Sequence, residues 1–206
     1  SEDCLVLSKE EDVSDAQGST DGPEDDGSDL ALAAAREIGM KVIYIHNDFS
    51  LCDEPGSIKR EIHGTRWGNP GAKDQPPPSR DPVKPNYSPS IQPLVHEPDF
   101  PKHEWSGFHN THVDYLLRCY DIKNLISVVF SQRSCLYFTL AGAVEHNYRV
   151  VMLRDCTHSG EYPDTVDESL PEGGWLRKIM LRNFEHVVGY TSTAAEFGAA
   201  CGTAPE

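Results

Sequence analysis

The chain has 206 residues, 38% of them apolar, and a formal net charge of −15. That length and apolar share can bury one sizeable core, so a single domain over 1–206 is expected. The negative balance argues against nucleic acid or an anionic membrane surface as partner, and no apolar run is long enough to cross a bilayer.

In chain order, Cys4-Leu5-Val6-Leu7 is an apolar run of strand length. Residues 14–28 turn to Gly, Ser, Asp and Glu and read as a flexible acidic segment. Residues 1–30 together hold eleven acidic side chains against Lys9 alone. Leu30–Ile38 is helix chemistry, with Ser28 or Asp29 as N-cap and Gly39 as the stop. Met40–Ile45 follows as a buried strand, which makes half of a βαβ unit. Residues 47–98 are dominated by Gly, Pro, Asp and Ser and predict a long loop, with Ile58 and Trp67 packing part of it down.

Lys102 then ends a strand. The spacing of Val113, Leu116 and Leu117 predicts a helix within Asn110–Tyr120, followed by a strand over Leu125–Phe130. Leu136, Leu140 and Val144 predict a helix over Cys135–His146. Val150–Leu153 reads as a strand, Trp175–Phe184 as a helix, Val187–Tyr190 as a short strand and Ala194–Ala200 as a terminal helix.

Strands alternating with helices imply an α/β fold with a mainly parallel sheet. Such sheets bind ligands outside the carboxyl ends of their strands, where Lys102 and Cys135 both fall. A cysteine at the start of a helix has its thiolate stabilised by backbone N–H groups and the helix dipole, and further by a nearby ammonium. The same N–H groups can receive an oxyanion. This is the outline of a cysteine-nucleophile hydrolase site.

The six cysteines (Cys4, Cys52, Cys119, Cys135, Cys156, Cys201) are scattered, without a Cys-x-x-Cys pair. They fit free thiols in a reducing, cytoplasmic setting rather than a disulfide or zinc framework. His46 with Asp48, and His109 with His112, have ligand-like proximity, but exposed loop histidines explain them, and no metal is expected. The first residues lack the basic-then-apolar layout of a signal peptide. A start at Ser1 without Met fits a trimmed or partial version of a longer protein.

From about Ala34 to Phe197 the chain resembles the isochorismatase-like cysteine hydrolases, a three-layer α/β family with a doubly wound sheet flanked by helices. The resemblance rests on Ala35-Arg36-Glu37-Ile38-Gly39-Met40, on Pro101-Lys102 followed by Ser106-Gly107-Phe108 and Asn110-Thr111, on Ser134-Cys135 with Thr139, and on Asp155-Cys156-Thr157-His158. Within the family, Trp105-Ser106-Gly107-Phe108 and Val188-Gly189-Tyr190-Thr191-Ser192 look most like the ureidoacrylate amidohydrolase branch. The resemblance implies an Asp, Lys, Cys triad with Lys102 and Cys135 as its last two members, and an oxyanion hole from the N–H groups of Ser134 and Cys135. It implies a non-proline cis peptide at Phe130-Ser131 and a pocket at Trp105, Phe108, Phe130, Ser131 and Arg133. It further implies a small-molecule substrate with a C–N bond of amide, carbamoyl or ureido type, no cofactor, and a homo-oligomer. Trp105 and Phe108 equally fit a cap on the sheet, and Arg133 a solvated loop residue in place of a clamp on a carboxylate.

The Asp departs from the pattern. Aligning the family's first strand puts Ser8 on it, Glu10 on the following Gln and Asp12 on a later Asp. A serine cannot hold a proton as a carboxylate does near neutral pH. Either the site is impaired, or Glu10 or Asp12 substitutes from a shifted register, or the true first strand lies upstream. The impaired case leaves a binding or scaffold protein. Val129 departs as well, since Gly commonly precedes the cis bond.

Overall fold

The computed structural model describes residues 2–8, 27–48, 85, 87–129, 132–157 and 161–202. Glu10, Asp12, Ile58, Trp67, the Phe130–Ser131 peptide and most of the acidic segment lie outside the described residues, as do the side chains of Ser8, Val129 and Arg133.

Six strands form one sheet: β1 (Asp3–Ser8), β2 (Lys41–Asn47), β3 (Asp99–Lys102), β4 (Asn124–Val129), β5 (Arg149–Leu153) and β6 (Tyr190–Ser192). Their order is β3-β2-β1-β4-β5-β6 and every pairing is parallel. The central strands are apolar on both faces, as a sheet covered on both sides requires. Cys4, Val6, Ile43, Ile45, Leu125, Val150 and Met152 line one face. Leu5, Leu7, Val42, Tyr44, Ile126, Val128 and Leu153 line the other. Helices α2 (Val113–Cys119), α3 (Tyr137–Glu145) and α4 (Trp175–Val187) cover the first face through Leu117, Leu140, Ala143, Leu181 and Phe184. Helices α1 (Ser28–Glu37) and α5 (Ala194–Cys201) cover the second through Ala31, Leu32, Ala35, Ala194 and Phe197. The result is the expected three-layer sandwich. No helix among the described residues is long and apolar enough to cross a membrane.

Three helix-to-strand corners share one construction. After α1, α2 and α3, a residue with positive φ (Gly39 at 67°, Asp121 at 53°, Asn147 at 71°) reverses the chain. The next residue donates its N–H back across the last turn: Met40 to Ala35 O, Ile122 to Leu117 O, Tyr148 to Ala143 O. Met40, Ile122 and Tyr148 are then buried at the core edge. Together these are the bonds and the apolar contact of a Schellman motif. It sets the point at which β2, β4 and β5 begin, and so where their carboxyl ends stop.

The boundaries differ from the sequence reading in places with a physical reason. Helix α1 begins at Ser28, inside the expected acidic segment, and its N-cap is Gly27 rather than Ser28 or Asp29. Residues 87–98 of the predicted long loop pack down: Tyr87 and Ile91 join the core, and Pro89–Ile91 makes a 3-10 turn. Helix α2 starts only at Val113, because Asn110 adopts positive φ. The apolar Val187 ends α4, and the edge strand comes later, at Tyr190–Ser192. Gly189 lies between them at a close approach to β5, where a Cβ would stand 2.5 Å from the carbonyl of Val150.

Candidate active site

The strand order reverses direction between β1 and β4, the switch point where open α/β sheets leave a crevice at their carboxyl rim. The ends of β3, β2, β1 and β4 lie side by side there, with Lys102 opposite Asn47 and Ser8 opposite Val129. Alternation along β2 puts Asn47 on the face of Ile43 and Ile45, beneath α3.

The Asn47 carboxamide joins the two residues singled out in the sequence. The Lys102 Nζ donates to Asn47 Oδ1 and, at 3.2 Å, to the carbonyl of Glu104. The Cys135 thiol donates to the same Oδ1 at 3.8 Å, a sulfur-length contact. Lys102 is 1% exposed, whereas Cys135 is half-buried. Among the described residues no carboxylate forms an ion pair with Lys102. The described oxygens around this ammonium are neutral, so no ion pair among the described residues accounts for its burial.

Cys135 does not open a regular α-helix. It is the fourth residue of a π-helical turn, Gln132–Leu136, that precedes α3. Such turns are rare and recur at functional sites. Ser134 and Cys135 both lie in it, so the N–H groups expected to form an oxyanion hole belong to a widened turn. Gln132 is 2% exposed, and neither polar atom of its carboxamide has a hydrogen-bond partner.

The remaining predicted residues divide. Trp105 stacks on Phe138, with ring centroids 5.0 Å apart, and Phe138 is three residues beyond Cys135. Phe108 is not brought to the group. Its ring packs on His146 (5.2 Å) and Tyr148 (5.8 Å), toward the C-terminal end of α3 and away from Cys135. Ser8 holds the last position of β1. His46 contacts Asp99 Oδ1 through Nδ1 at 2.7 Å, and Tyr87 donates to the same oxygen at 3.0 Å. His103 donates through Nδ1 to the carbonyl of Asp48 at 2.7 Å. Among the described residues no three His, Cys, Asp or Glu side chains are grouped as metal ligands would be.

Sequence reasoning missed Asn47. It sits where an apolar strand runs into a Pro/Gly-rich stretch, and its partner Lys102 is 55 residues away. A polar residue ending a strand one place before a predicted ligand-binding rim was the available signal.

A parallel sheet between two helical layers, with a lysine and a cysteine meeting on one oxygen at its carboxyl rim, is the α/β layout that the sequence resemblance implied. The chain belongs to the isochorismatase family: the family described as Isochorismatase domain matches residues 26–172. Its sequence relatives are of the ureidoacrylate amidohydrolase branch. It is 30% identical to the ureidoacrylate amidohydrolase RutB of Methylorubrum extorquens, over 88% of this chain and 71% of the relative. With the protein of the same description from an Enterobacter species it shares 34% identity, over 81% of this chain and 70% of that one. In fold it is similar to a cysteine hydrolase from Pseudomonas syringae pv. phaseolicola (TM-score 0.75, 20% identity, 99% of this chain and 94% of that one). The N-carbamoylsarcosine amidase of Thermoplasma acidophilum is also similar (TM-score 0.62, 18% identity, 93% and 96% covered). The family match begins at residue 26 and leaves β1 outside it.

Proposed function

We propose that this protein is a cysteine hydrolase that cleaves the C–N bond of a small ureido, carbamoyl or amide compound. The observation that supports this most is the meeting of Cys135 Sγ and Lys102 Nζ on Asn47 Oδ1 at the carboxyl rim. The relatives named for action on ureidoacrylate and on N-carbamoylsarcosine give the substrate class.

In this reading the Cys135 sulfur attacks the carbonyl carbon and the thiol proton leaves with the departing nitrogen. As the C–N bond breaks, Cys135 keeps an acyl group as a thioester or a carbamoyl group as a thiocarbamate; water then hydrolyses it and restores the thiol, releasing the acid or a carbamate that decays to carbon dioxide and ammonia. Lys102 holds a positive charge beside the sulfur as the thiolate forms, and the N–H groups of Ser134 and Cys135 receive the oxyanion. Asn47 is a positioning residue: one oxygen orients both the ammonium and the thiol. Glu10 or Asp12 carries the proton to the leaving nitrogen, the role that Ser8 cannot take. The reaction as written uses no metal and no cofactor. The substrate is a small molecule, handled by a single cytoplasmic domain in a homo-oligomer.

The test is ammonia release from 3-ureidoacrylate, an N-carbamoyl amino acid and a simple primary amide, with Cys135→Ala as the blank. Turnover of the ureido or carbamoyl compound above the blank is expected. Equal rates for both proteins on all three compounds would overturn the proposal.

A second reading has its own support: β1 ends in Ser8 where the family pattern has Asp, and the family match omits β1. On that reading the fold binds a ureido compound without cleaving it. Binding of 3-ureidoacrylate by calorimetry with no ammonia release would decide for it.

A further inference from the structure

The loop after Lys102 is fastened to the helix after Cys135 at one side chain. Thr139, on α3 and buried, accepts from the backbone N–H of Gly107 at 2.8 Å and donates to the carbonyl of Trp105 at 3.4 Å. One residue before Trp105, the carbonyl of Glu104 accepts from the Lys102 ammonium at 3.2 Å. Thr139 stands four residues after Cys135, about one helical turn away. A closed path therefore runs from Cys135 along the helix to Thr139, across to the loop, through Glu104 O to Lys102, and by Asn47 Oδ1 back to the sulfur.

The approach of loop and helix is built for contact. A Cβ on Gly107 would stand 2.9 Å from Ile45 Cδ1 and 3.2 Å from Thr139 Cγ2, and one on Gly142 would stand 3.0 Å from Ser106 Oγ. A threonine in mid-helix commonly turns its hydroxyl back onto its own helix. Here the two hydrogen-bond partners of that oxygen, Gly107 N–H and Trp105 O, lie on the loop, and branching at Cβ restricts the rotamer that holds it there.

We infer that Thr139 is a positioning residue that sets the Lys102 ammonium against the Cys135 thiol by clamping the Trp105–Gly107 turn. This rests on the reading of Lys102 and Cys135 as the reacting pair. Thr139→Val keeps the shape and loses the hydroxyl, whereas Thr139→Ser keeps the hydroxyl.

The experiment is alkylation of Cys135 by iodoacetamide as a function of pH, followed by mass spectrometry, with the exposed Cys119 as internal reference. Thr139→Val is expected to alkylate Cys135 about tenfold more slowly at neutral pH, relative to Cys119, with Thr139→Ser close to the parent. Gly142→Ala, which pushes on the same loop through Ser106, is expected to slow it less and serves if Thr139→Val fails to fold. Lys102→Met reports on the underlying pair. If Lys102→Met slows alkylation while Thr139→Val and Gly142→Ala follow the parent curve, the positioning role is overturned and the pair survives. If Lys102→Met leaves the curve unchanged, the pairing itself fails. A lower melting temperature of Thr139→Val on an unchanged alkylation curve counts as a structural role and overturns the inference.

Discussion

The two rims of the sheet hold their polar groups in opposite ways. At the amino rim the charges are solvated and paired: Lys123 with Glu2 (2.7 Å) and Asp121 (3.6 Å), Arg118 with Asp114 (3.1 Å). Arg118, Asp121 and Lys123 border an open groove of about 550 Å³ that includes Arg149 and Tyr148. At the carboxyl rim Lys102 is buried and, among the described residues, meets only neutral oxygens. Paired surface charges explain themselves and contribute little. A desolvated ammonium without a carboxylate does not, so desolvation rather than cavity size or charge count separates the site from the surface.

The sharpest way to break this contrast is to remove the ammonium. Lys102→Met is expected to cut ureido hydrolysis by about 10³-fold, on the scale of losing an electrostatic stabiliser. Its thermal unfolding midpoint should hold or rise, since a costly buried charge is replaced by an apolar chain of similar size. Retained hydrolysis with a large loss of stability would make Lys102 a structural residue. Asn47→Leu is expected to lower hydrolysis about 10- to 100-fold by releasing both of its partners. Steady-state rates on the same ureido substrate check it, and an unchanged rate would remove Asn47 from the site.

A buried pair on the other face sharpens the comparison from the stability side. Arg36 donates to both oxygens of Glu97, at 2.9 and 2.7 Å, and also to the carbonyl of Gln92. Burial pushes the Glu97 carboxyl up, but the Arg36 hydrogen bonds and the Leu94 N–H outweigh it, so the group is held below its ordinary 4.5. A carboxyl depressed in the folded state stabilises the fold above its unfolded pKa and loses that contribution as pH falls through the folded one. Acid unfolding should therefore steepen below about pH 4.5. Glu97→Gln should lose about 2–3 kcal/mol at neutral pH and flatten that slope, measured by denaturant titration across pH. An equal slope in both proteins would assign the acid response elsewhere.

Which of these features the sequence carried follows from their range. The helix stop at Gly39 and the strand of Val42, Ile43 and Ile45 are local patterns, and both stand in the structure. Lys102 and Cys135 were found through ordered motifs rather than periodicity. The Asn47 bridge depends on the register of β2 against β3, which no local pattern states. The π turn was equally hidden, because Gln132-Arg133-Ser134 offers no apolar spacing. Arg36 and Glu97 pair across 61 residues, and Glu97 lies in a stretch whose prolines and glycines spoke only for a loop. For Phe108 the sequence left a pocket wall and a cap on the sheet equally open, because an aromatic beside a motif suits both, and the packing of its ring on His146 and Tyr148 is a long-range contact that no local pattern states.

The smallest effect belongs to the amino rim, and it tests the contrast from its weak side. Lys123 reaches Glu2 at 2.7 Å and Asp121 at 3.6 Å, and these contacts raise its pKa, led by the Glu2 hydrogen bond. Geometry alone would rank this with the Arg36–Glu97 pair. Solvent decides otherwise: Lys123 and Glu2 are about half exposed, so water and salt screen the pair and the side chains lose freedom in forming it. Lys123→Ala should leave the unfolding free energy close to the parent's, and raising the salt concentration should shrink any difference further. Parallel denaturant titrations of Lys123→Ala and Glu97→Gln at two ionic strengths make the comparison direct. If the exposed substitution cost as much as the buried one, desolvation would not be what distinguishes the two rims, and the case for Lys102 would have to rest on the Cys135 contact alone.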